Sequence, residues 1–371
     1  MILLAVPALA AAAYYLLAVI AALRWRRRPA GERAKTPPVS LLKPMYGSDA
    51  RLYQALRSHA VQDYPEFEML CGISDPRDPA LRDIERLQSE FPSLSIRVIV
   101  LKPDAPNPKV QVLAQLAREA RYPVLVVNDD DIEVEPGYFR AVVAPLADPK
   151  TGLVTCLYRA HADSWAARAE ALGIATEFVP GVMVARLVGV VEFALGATMA
   201  MRAETLRAIE GFEPIAAYLA DDYQLGKQVT EAGYRVEFAP AIVETSLGAV
   251  SWKQAWRHQL RWSRTIRVSR PSGYYGSLVT HATLWALVAF AAGEWWIGGA
   301  AVALRLLAGW IAGAVVLNDP QVKRWFWLMP LRDLFGFAVW LGGCFGSTVY
   351  WRGRKLKLAA DGRIGAETSS N

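Results

Sequence analysis

The hydrophobic pattern of the chain changes twice along its length. Residues Ile2 to Leu23 form an uncharged apolar run, about as long as the roughly 20 residues that a helix needs to cross a bilayer. A basic cluster, Arg24 to Arg28, follows directly, and by the positive-inside rule it predicts that the next part of the chain is cytoplasmic. We therefore predict a transmembrane anchor over residues 1–24, followed by a short polar linker from Gly31 to Pro38.

From Val39 onward, short apolar strands alternate with amphipathic helices, which is typical of an α/β domain with a largely parallel sheet. We expect this domain to cover residues 36–250. The predicted strands lie near residues 39–42, 67–73, 94–100, 124–128 and 152–157. The predicted helices lie near residues 51–60, 79–90, 108–121, 136–146, 203–210 and 220–232. Asn107 before Pro108 predicts a capped helix start with proline at the first helical position.

One apolar stretch inside this domain, Phe178 to Met201, is long enough to suggest a membrane span. Charged side chains at Arg186 and Glu192 interrupt it, and Pro180 breaks its periodicity. The stretch is therefore predicted to be a core or membrane-interface segment.

A basic amphipathic helix is predicted over residues 251–271. Arg257, Arg261 and Arg264 share one face at three- and four-residue spacing, and three tryptophans accompany them. Arginine and tryptophan together favour a helix in the interface beneath a bilayer over an ordinary surface helix.

Residues 276–371 are predicted to return to the membrane. The candidate spans are Leu278 to Ala292, Ile297 to Leu317 and Leu334 to Trp351. Arg305 inside the second span is expected to face protein or water rather than lipid. Three further spans after a cytoplasmic domain would leave Arg352 to Lys357 outside, against the positive-inside rule, so either the last segment is re-entrant or this tail is an exception.

Composition agrees with a membrane-associated protein. Hydrophobic residues make up 53% of the 371, and the net charge is +6. Because the cations cluster beside apolar stretches, an anionic lipid surface is a better partner than a nucleic acid. Three scattered cysteines exclude a disulfide framework or a zinc site, and favour a reducing, cytosol-facing domain.

Acidic side chains recur where the predicted strands end. Lys43-Pro44, Ser74-Asp75 and Asn128 to Asp131 follow three of the strands, and ligands of such sheets bind beyond the carboxyl ends. Three adjacent carboxylates repel one another unless a cation lies among them, so Asp129 to Asp131 predict either a metal site or a solvated acidic turn.

The order of these motifs resembles the membrane-bound, family 2-like glycosyltransferases with a D, D, D, (Q/R)xxRW signature. The greatest similarity is to the ceramide glucosyltransferases (family 21) and their bacterial relatives that glycosylate hopanoid lipids. The resemblance rests on segments spread over nearly the whole chain: Leu42-Lys43-Pro44, Gln62 to Pro65, Ser74-Asp75, Asp78 to Ala80, Asn107 to Lys109, Asp129 to Asp131, Ala220 to Tyr223, His258 to Trp262 and Trp351 to Arg354.

This resemblance implies a GT-A fold, a Rossmann-like mixed sheet, together with a UDP-sugar donor, Mg²⁺ or Mn²⁺, and inversion at the anomeric carbon. It assigns Asp129 and Asp131 to metal and to ribose or phosphate binding. It places Asp75 near uracil or ribose and Lys109 near the diphosphate. The other residues expected to bind the donor are Lys43, Pro44, Asp78 and Asp221.

Inversion needs a base that takes the proton of the acceptor hydroxyl, and the resemblance favours Asp222 for this role. The structural alternative is a carboxylate that stabilises the first turn of a helix. Arg261 is expected to hold the leaving diphosphate and Trp262 to shape the acceptor mouth. His258 departs from the signature, because it stands where Gln or Arg is usual.

The resemblance therefore implies transfer of one hexose, with UDP-glucose as the expected donor, to a ceramide-like lipid hydroxyl at the cytoplasmic face of a multi-pass protein of a bacterial inner membrane. A hopanoid-lipid N-acetylglucosaminyltransferase is the alternative. A processive polysaccharide synthase would need more spans, and a membrane scaffold would leave the acids without a role. Sugar, lipid and oligomeric state stay open.

Overall fold

A computed structural model of the chain describes residues 2–26 and 35–365. The rest lies outside this description, including Arg27 and Arg28 of the basic cluster and residues 31–34 of the predicted linker. The chain forms two compact units. The sheet unit comprises the described residues of Pro29–Tyr158 and Val191–Gly248. The helical unit comprises the described residues of Met1–Arg28, Arg159–Val190 and Ala249–Asn371.

The sheet unit alternates strands and helices through its first half, as the periodicity predicts. Its strands are β1 (Val39–Pro44), β2 (Phe67–Ile73), β3 (Ser95–Val100), β4 (Val124–Val127), β5 (Thr151–His161, whose last three residues belong to the helical unit), β6 (Met199–Arg202) and β7 (Arg235–Ser246). Its helices are α2 (Leu52–Ala60), α3 (Ala80–Glu90), α4 (Pro108–Glu119), α5 (Tyr138–Val143), α8 (Ala203–Ala208) and α9 (Asp221–Glu231).

Within the described chain, these seven strands form one mixed sheet in the order β3-β2-β1-β4-β6-β5-β7. β1 pairs in parallel with both β2 and β4, and β2 pairs in parallel with β3. β6 is antiparallel to β4 and to β5. The carboxyl ends of β1, β2 and β4 therefore meet at one edge, where ligands of such sheets bind.

Burial explains why these segments are strands and helices. Every residue of β1 and β4 is buried, as expected for central strands covered on both faces. In α3 the buried residues, Ala80, Ile84 and Leu87, recur at three- and four-residue spacing, so one face of the helix is buried.

Two strands of the described sheet unit were not expected from the sequence. β6 begins within the last residues of the apolar stretch Phe178 to Met201, and β7 lies beyond the last predicted helix. The stretch begins as helix α7 (Val179–Leu187), and an irregular segment of 11 residues then leads to β6. It is not a single long helix.

The helical unit contains, within the described chain, helices α1 (Ile2–Arg26), α6 (Trp165–Gly173), α7, α10 (Trp252–Ser269), α11 (Pro271–Gly276), α12 (Ala282–Ala291), α13 (Trp295–Gly309), α14 (Pro320–Trp325) and α15 (Met329–Gly343). A π-helical turn, Ile174–Phe178, joins α6 to α7, and another, Trp310–Val316, extends α13. A small hairpin of β8 (Thr348–Trp351) and β9 (Arg354–Lys357) follows.

Two helices of the described residues are long and apolar enough to cross a membrane, Leu3–Arg26 and Trp295–Val316. They correspond to the predicted anchor and to the second C-terminal candidate. The third candidate, Leu334 to Trp351, is not one helix, because α15 ends at Gly343 and Thr348–Trp351 is strand β8. The first candidate is reduced to the ten residues of α12.

Arg305 lies inside the protein, as its place in a predicted span requires. Its side chain is 1% exposed, and two of its nitrogens donate to the carboxylate of Asp333, Nη2 at 2.7 Å and Nε at 3.0 Å. Nη1 donates to the carbonyl of Thr176 at 2.9 Å. A buried arginine needs such compensation, because an unpaired charge in this position would be strongly destabilising.

Candidate active site

The site begins at Asn128, the residue that follows the end of β4. The side-chain amide of Asn128 donates to the carbonyl of Ala197 at 2.7 Å and contacts the hydroxyls of Tyr138 and Thr198. These bonds fix the turn that carries the acids Asp129 to Asp131 away from the sheet. The three carboxylates therefore stand at the shared carboxyl edge of the parallel strands, where the sequence predicts them.

Lys109 forms ion pairs with two of the predicted acidic residues, Asp129 and Asp221. Its ammonium lies 2.7 Å from Oδ1 of Asp129 and 3.1 Å from Oδ2 of Asp221, and the residue is 8% exposed. Burial alone would lower the pKa of Lys109, but the two carboxylates more than offset it, and this pKa is raised. The edge thus holds a fixed positive charge between two acids.

The start of α4 explains the position of Lys109. The side chain of Asn107 accepts a hydrogen bond from the amide of Val110, and Pro108 occupies the first helical position, as predicted. The amide group of the same Asn107 donates to the carbonyl of Tyr218 at 2.7 Å, which ties the start of α4 to the segment before α9. A helix cap therefore also brings Lys109 to Asp221.

Asp222 follows in the first turn of α9, as predicted. Its Oδ2 accepts a hydrogen bond from the amide of Gly196 at 2.9 Å, and Oδ1 accepts one from its neighbour Tyr223 at 2.7 Å. Burial and the adjacent Asp221 raise the pKa of Asp222 to about 6, although Lys109 opposes the shift. A carboxyl with this pKa is ionised near neutral pH and remains basic enough to take a proton.

Gly226 keeps Asp222 against the loop that holds it. A side-chain carbon at this position would lie 2.7 Å from the backbone nitrogen of Ala194. Only glycine lets α9 approach the loop of Ala194 to Gly196 this closely, so the hydrogen bond from Gly196 to Asp222 depends on it.

The acid triplet has protein partners on two sides. Asp130 accepts a hydrogen bond from the amide of Tyr46 at 2.9 Å, and Asp131 accepts one from the hydroxyl of Thr245. Burial, with Asp130 and Asp129 close by, raises the pKa of Asp131 to about 7. The three carboxylates of Asp129 to Asp131 together carry more negative charge than the ammonium of Lys109 can neutralise.

The remaining predicted donor residues occupy the same edge or lie next to it. Lys43 and Pro44 end β1, and Lys43 is 0% exposed, so burial lowers its pKa to about 8. Asp78 accepts hydrogen bonds from the amides of Gly47 and Ala80. Asp75 is more exposed and pairs with Arg77 of its own loop.

The predicted metal ligands, Asp129 and Asp131, are carboxylates, the ligand type that a divalent cation such as Mg²⁺ or Mn²⁺ prefers. Within the described part of the chain, no group of three or more acidic, histidine or cysteine side chains converges as a cation site. Mg²⁺ and Mn²⁺ do not need such a cage, because they are commonly held by one or two carboxylates plus water and substrate phosphates. Asp129 and Asp131 provide two hard oxygen donors in a region of excess negative charge.

His258, Arg261 and Trp262 belong to the helical unit, on α10. Ser251 caps this helix in a capping box with Gln254. His258 pairs through Nδ1 with the carboxylate of Glu170, and its ring lies 5.1 Å from the ring of Trp262. The arginine face of α10 also has protein contacts, since Arg264 donates to the carbonyls of Phe345 and Thr348.

The sequence reasoning missed the partners that hold these side chains. Glu170, Thr245 and Gly196 each contact a predicted site residue, from 26 to 114 positions away in the chain. No periodicity or short motif links residues so far apart. Glu170 alone carried a signal, because it is the one acid in the otherwise small and apolar second half of α6.

A large cleft lies at the opposite edge of the sheet. It has a volume of about 1330 Å³ and is lined where β4 begins, by Val124 and Leu125, and by residues around Arg118 and Arg202. None of the predicted site residues lines it. The acids stand at the other end of β4, so this cleft is separate from the candidate site.

The mixed sheet, with carboxylates and a buried lysine at its carboxyl edge, defines a glycosyltransferase of the GT-A fold. The chain belongs to glycosyl transferase family 21, whose sequence model matches residues 1–364. Both the family and the GT-A fold class expected from the sequence are thereby confirmed.

Several known proteins are similar to this chain. Ceramide glucosyltransferase 1 of Caenorhabditis elegans is 26% identical over 352 residues, covering 90% of this chain and 74% of the relative. Ceramide glucosyltransferase 3 of the same organism is 25% identical over 225 residues, 59% of this chain and 49% of the relative. A mannosyltransferase from Pyrobaculum calidifontis, solved with GDP-Man and Mn²⁺, shares the fold with a TM-score of 0.58 at 19% identity, over 92% of this chain and 97% of its own.

Proposed function

We propose that this enzyme transfers one hexose from a UDP-sugar, with glucose as the expected sugar, to the hydroxyl of a ceramide-like lipid. The observation that carries the proposal is the cluster of Lys109, Asp129 and Asp221 beside Asp222, since it pairs a charged binding edge with a buried carboxylate of raised pKa. Two relatives named ceramide glucosyltransferase and two candidate membrane helices support a lipid acceptor.

The donor would lie at the carboxyl edge of the sheet. Lys109 supplies a permanent positive charge for the diphosphate, and Lys43 supplies a second buried ammonium beneath the acids. Asp75, Asp78 and the end of β1 at Pro44 would contact the nucleoside. Asp129 and Asp131 would hold Mg²⁺ or Mn²⁺, which neutralises charge on the diphosphate when it is bound.

Asp222 would act as the base. The acceptor oxygen attacks the anomeric carbon, the bond from that carbon to the diphosphate oxygen breaks, and Asp222 takes the hydroxyl proton. The hydrogen bonds from Gly196 and Tyr223 fix the carboxylate for this step. Because attack and departure occur on opposite faces, the product has inverted configuration.

The signature residues of α10 have complementary proposed roles. Arg261 would hold the leaving diphosphate, since a guanidinium is always charged and binds phosphate oxygens in pairs. Trp262 would shape the entrance for the acceptor, and its ring contacts the rings of His258 and Phe178. The protein would span the membrane several times, with the sheet unit in the cytoplasm of a bacterium.

Purified enzyme incubated with UDP-glucose, UDP-galactose and UDP-N-acetylglucosamine, each with ceramide, diacylglycerol or a hopanoid polyol, tests the proposal. Mass spectrometry should find a hexosyl lipid from UDP-glucose and ceramide. Turnover of UDP-sugars only with a soluble acceptor, or only with growing polymer, would refute the lipid-hexosyl assignment.

A further inference from the structure

The buried carboxylate of Glu170 is expected to destabilise the fold unless a partner compensates its charge, which suggests a further role for this residue. Its side chain is 4% exposed on α6, among alanine and leucine neighbours. An ionised carboxylate in such surroundings is strongly disfavoured unless it is paired. Among the described residues its partner is His258 of α10, whose Nδ1–H donates to Glu170 Oε1.

This contact determines what the imidazole can offer to a substrate. With Nδ1–H donated to Glu170, the ring edge that carries Nε2 is the one left for a substrate. The His258 side chain is 32% exposed, so the ring remains accessible while its inner edge is fixed. Trp262 lies against the same ring at 5.1 Å, and the ring of Phe178 lies 6.1 Å beyond it.

Arg332 forms a second connection between α6 and α10, next to the pair of Glu170 and His258. Arg332 of α15 donates from Nε to the carbonyl of Ala169 at 2.9 Å and from Nη2 to the side chain of Gln259 at 3.1 Å. Residues 169 and 170 of α6 therefore hold residues 259 and 258 of α10. Gly173 makes room for this arginine, since a side-chain carbon there would lie 2.2 Å from its Nη2.

We propose that Glu170 is a positioning residue for glycosyl transfer, which acts by fixing the tautomer and direction of His258. The inference rests on the proposed function, because it assumes that His258 contacts a substrate. It explains how a histidine can stand where the family signature has Gln or Arg: a buried carboxylate on another helix orients it. Glu170 itself touches neither substrate nor reacting atoms.

A double-mutant cycle on Glu170→Ala and His258→Ala tests the proposal, with kcat/KM measured for the best donor and lipid pair. Glu170→Ala should lower kcat/KM by about 10- to 100-fold, as when the partner that orients a functional histidine is lost. In the His258→Ala background the same change should have no further effect. Glu170→Gln should retain most activity, because its amide oxygen can still accept the hydrogen bond from Nδ1–H of His258.

Ser164→Ala is the matched control for stability. Ser164 caps α6 by accepting from the amide of Ala167, and it also donates to the carbonyl of Val250 just before α10. Its loss therefore weakens the start of α6 and its link to the start of α10, while the pair of Glu170 and His258 stays in place. We expect a lower Tm with unchanged kcat/KM. Equal effects of Glu170→Ala with and without His258, or a Glu170→Gln variant as impaired as Glu170→Ala, would overturn the inference. Wild-type enzyme inactive with every UDP-sugar and lipid would instead contradict the proposed function.

Discussion

The ammonium of Lys109 lies 2.7 Å from the carboxylate of Asp129. The two residues come from different elements, the first turn of α4 and the end of β4, and the cap at Asn107 brings the lysine into place. At the carboxyl edge of the sheet, the ammonium of Lys109 therefore lies within hydrogen-bonding distance of carboxylates. Such an edge suits a diphosphate and its cation together.

Lys109→Met should weaken nucleotide binding and stability together. The variant keeps the volume of the side chain but leaves Asp129 and the buried Asp221 without their cation. We expect the Kd for UDP to rise about tenfold or more, since a hydrogen bond to a charged group contributes roughly 1.5–3 kcal/mol. The Tm should also fall, because a carboxylate remains buried and unpaired.

Isothermal titration with UDP measures the change. Lys102→Met is the control, because Lys102 is exposed in the loop before α4. Unchanged affinity in Lys109→Met would remove the lysine from the donor site.

Asp222→Asn should stop transfer and spare donor binding. The amide fills the same space but cannot accept a proton, so kcat should fall by about 10²- to 10⁴-fold, the usual contribution of general base catalysis. UDP affinity should stay near that of the wild type. Glu231→Gln, at the exposed end of the same helix, should behave as wild type in both assays. Retained turnover in Asp222→Asn would exclude it as the base.

The rate should depend on pH through the same carboxyl. The base is active when deprotonated, and the pKa of Asp222 is raised to about 6. The value of kcat should therefore rise as the pH increases through about 6, and should fall about tenfold per pH unit below it. Initial rates between about pH 5 and about pH 8 test this. A flat profile for the wild type, or an unchanged acidic limb in Asp222→Asn, would argue against the assignment.

Removal of divalent cations should abolish activity. Asp131 is surrounded by acids, and the lysine beside them already pairs with Asp129 and Asp221. EDTA should therefore suppress transfer, and excess Mg²⁺ or Mn²⁺ should restore it. Asp131→Asn should need more cation for half-maximal activity, whereas Thr245→Val, which removes only the hydroxyl beside Asp131, should need little more. Activity untouched by EDTA would show that the metal assignment is wrong.

The sequence predicted the first half of the sheet unit well, because its central strands β1 and β4 are fully buried and its helices α2, α3 and α4 are amphipathic. β1 and β2 begin at the predicted residues, and β4 ends one residue before the predicted boundary at Asn128. β6 was missed for a physical reason: it begins at the end of a long apolar stretch, where hydrophobicity cannot distinguish a buried strand from a buried helix.

The C-terminal segment shows the converse error. Leu334 to Trp351 is apolar over the length of a membrane span, but α15 ends at Gly343 and the chain then turns at Gly346, where φ is positive. The hairpin of β8 and β9 follows. Hydropathy records composition and does not register a turn that depends on glycine in the left-handed region.

The candidate site was predictable in its residue types but not in its supports. Acids at strand ends and an Asn-Pro-Lys helix start are local patterns, and the structure brings Lys109, Asp129 and Asp221 together. The contact between His258 and Glu170 joins residues 88 apart, and nothing in one sequence encodes a pairing of that range.

The configuration and identity of the product test the central claim most directly. Purified enzyme should convert UDP-α-glucose and ceramide to glucosylceramide, and NMR of the anomeric proton should show the β-linkage that inversion by Asp222 requires. An α-linked product would contradict the single-displacement mechanism, and the absence of any glycosylated lipid would contradict the proposed function.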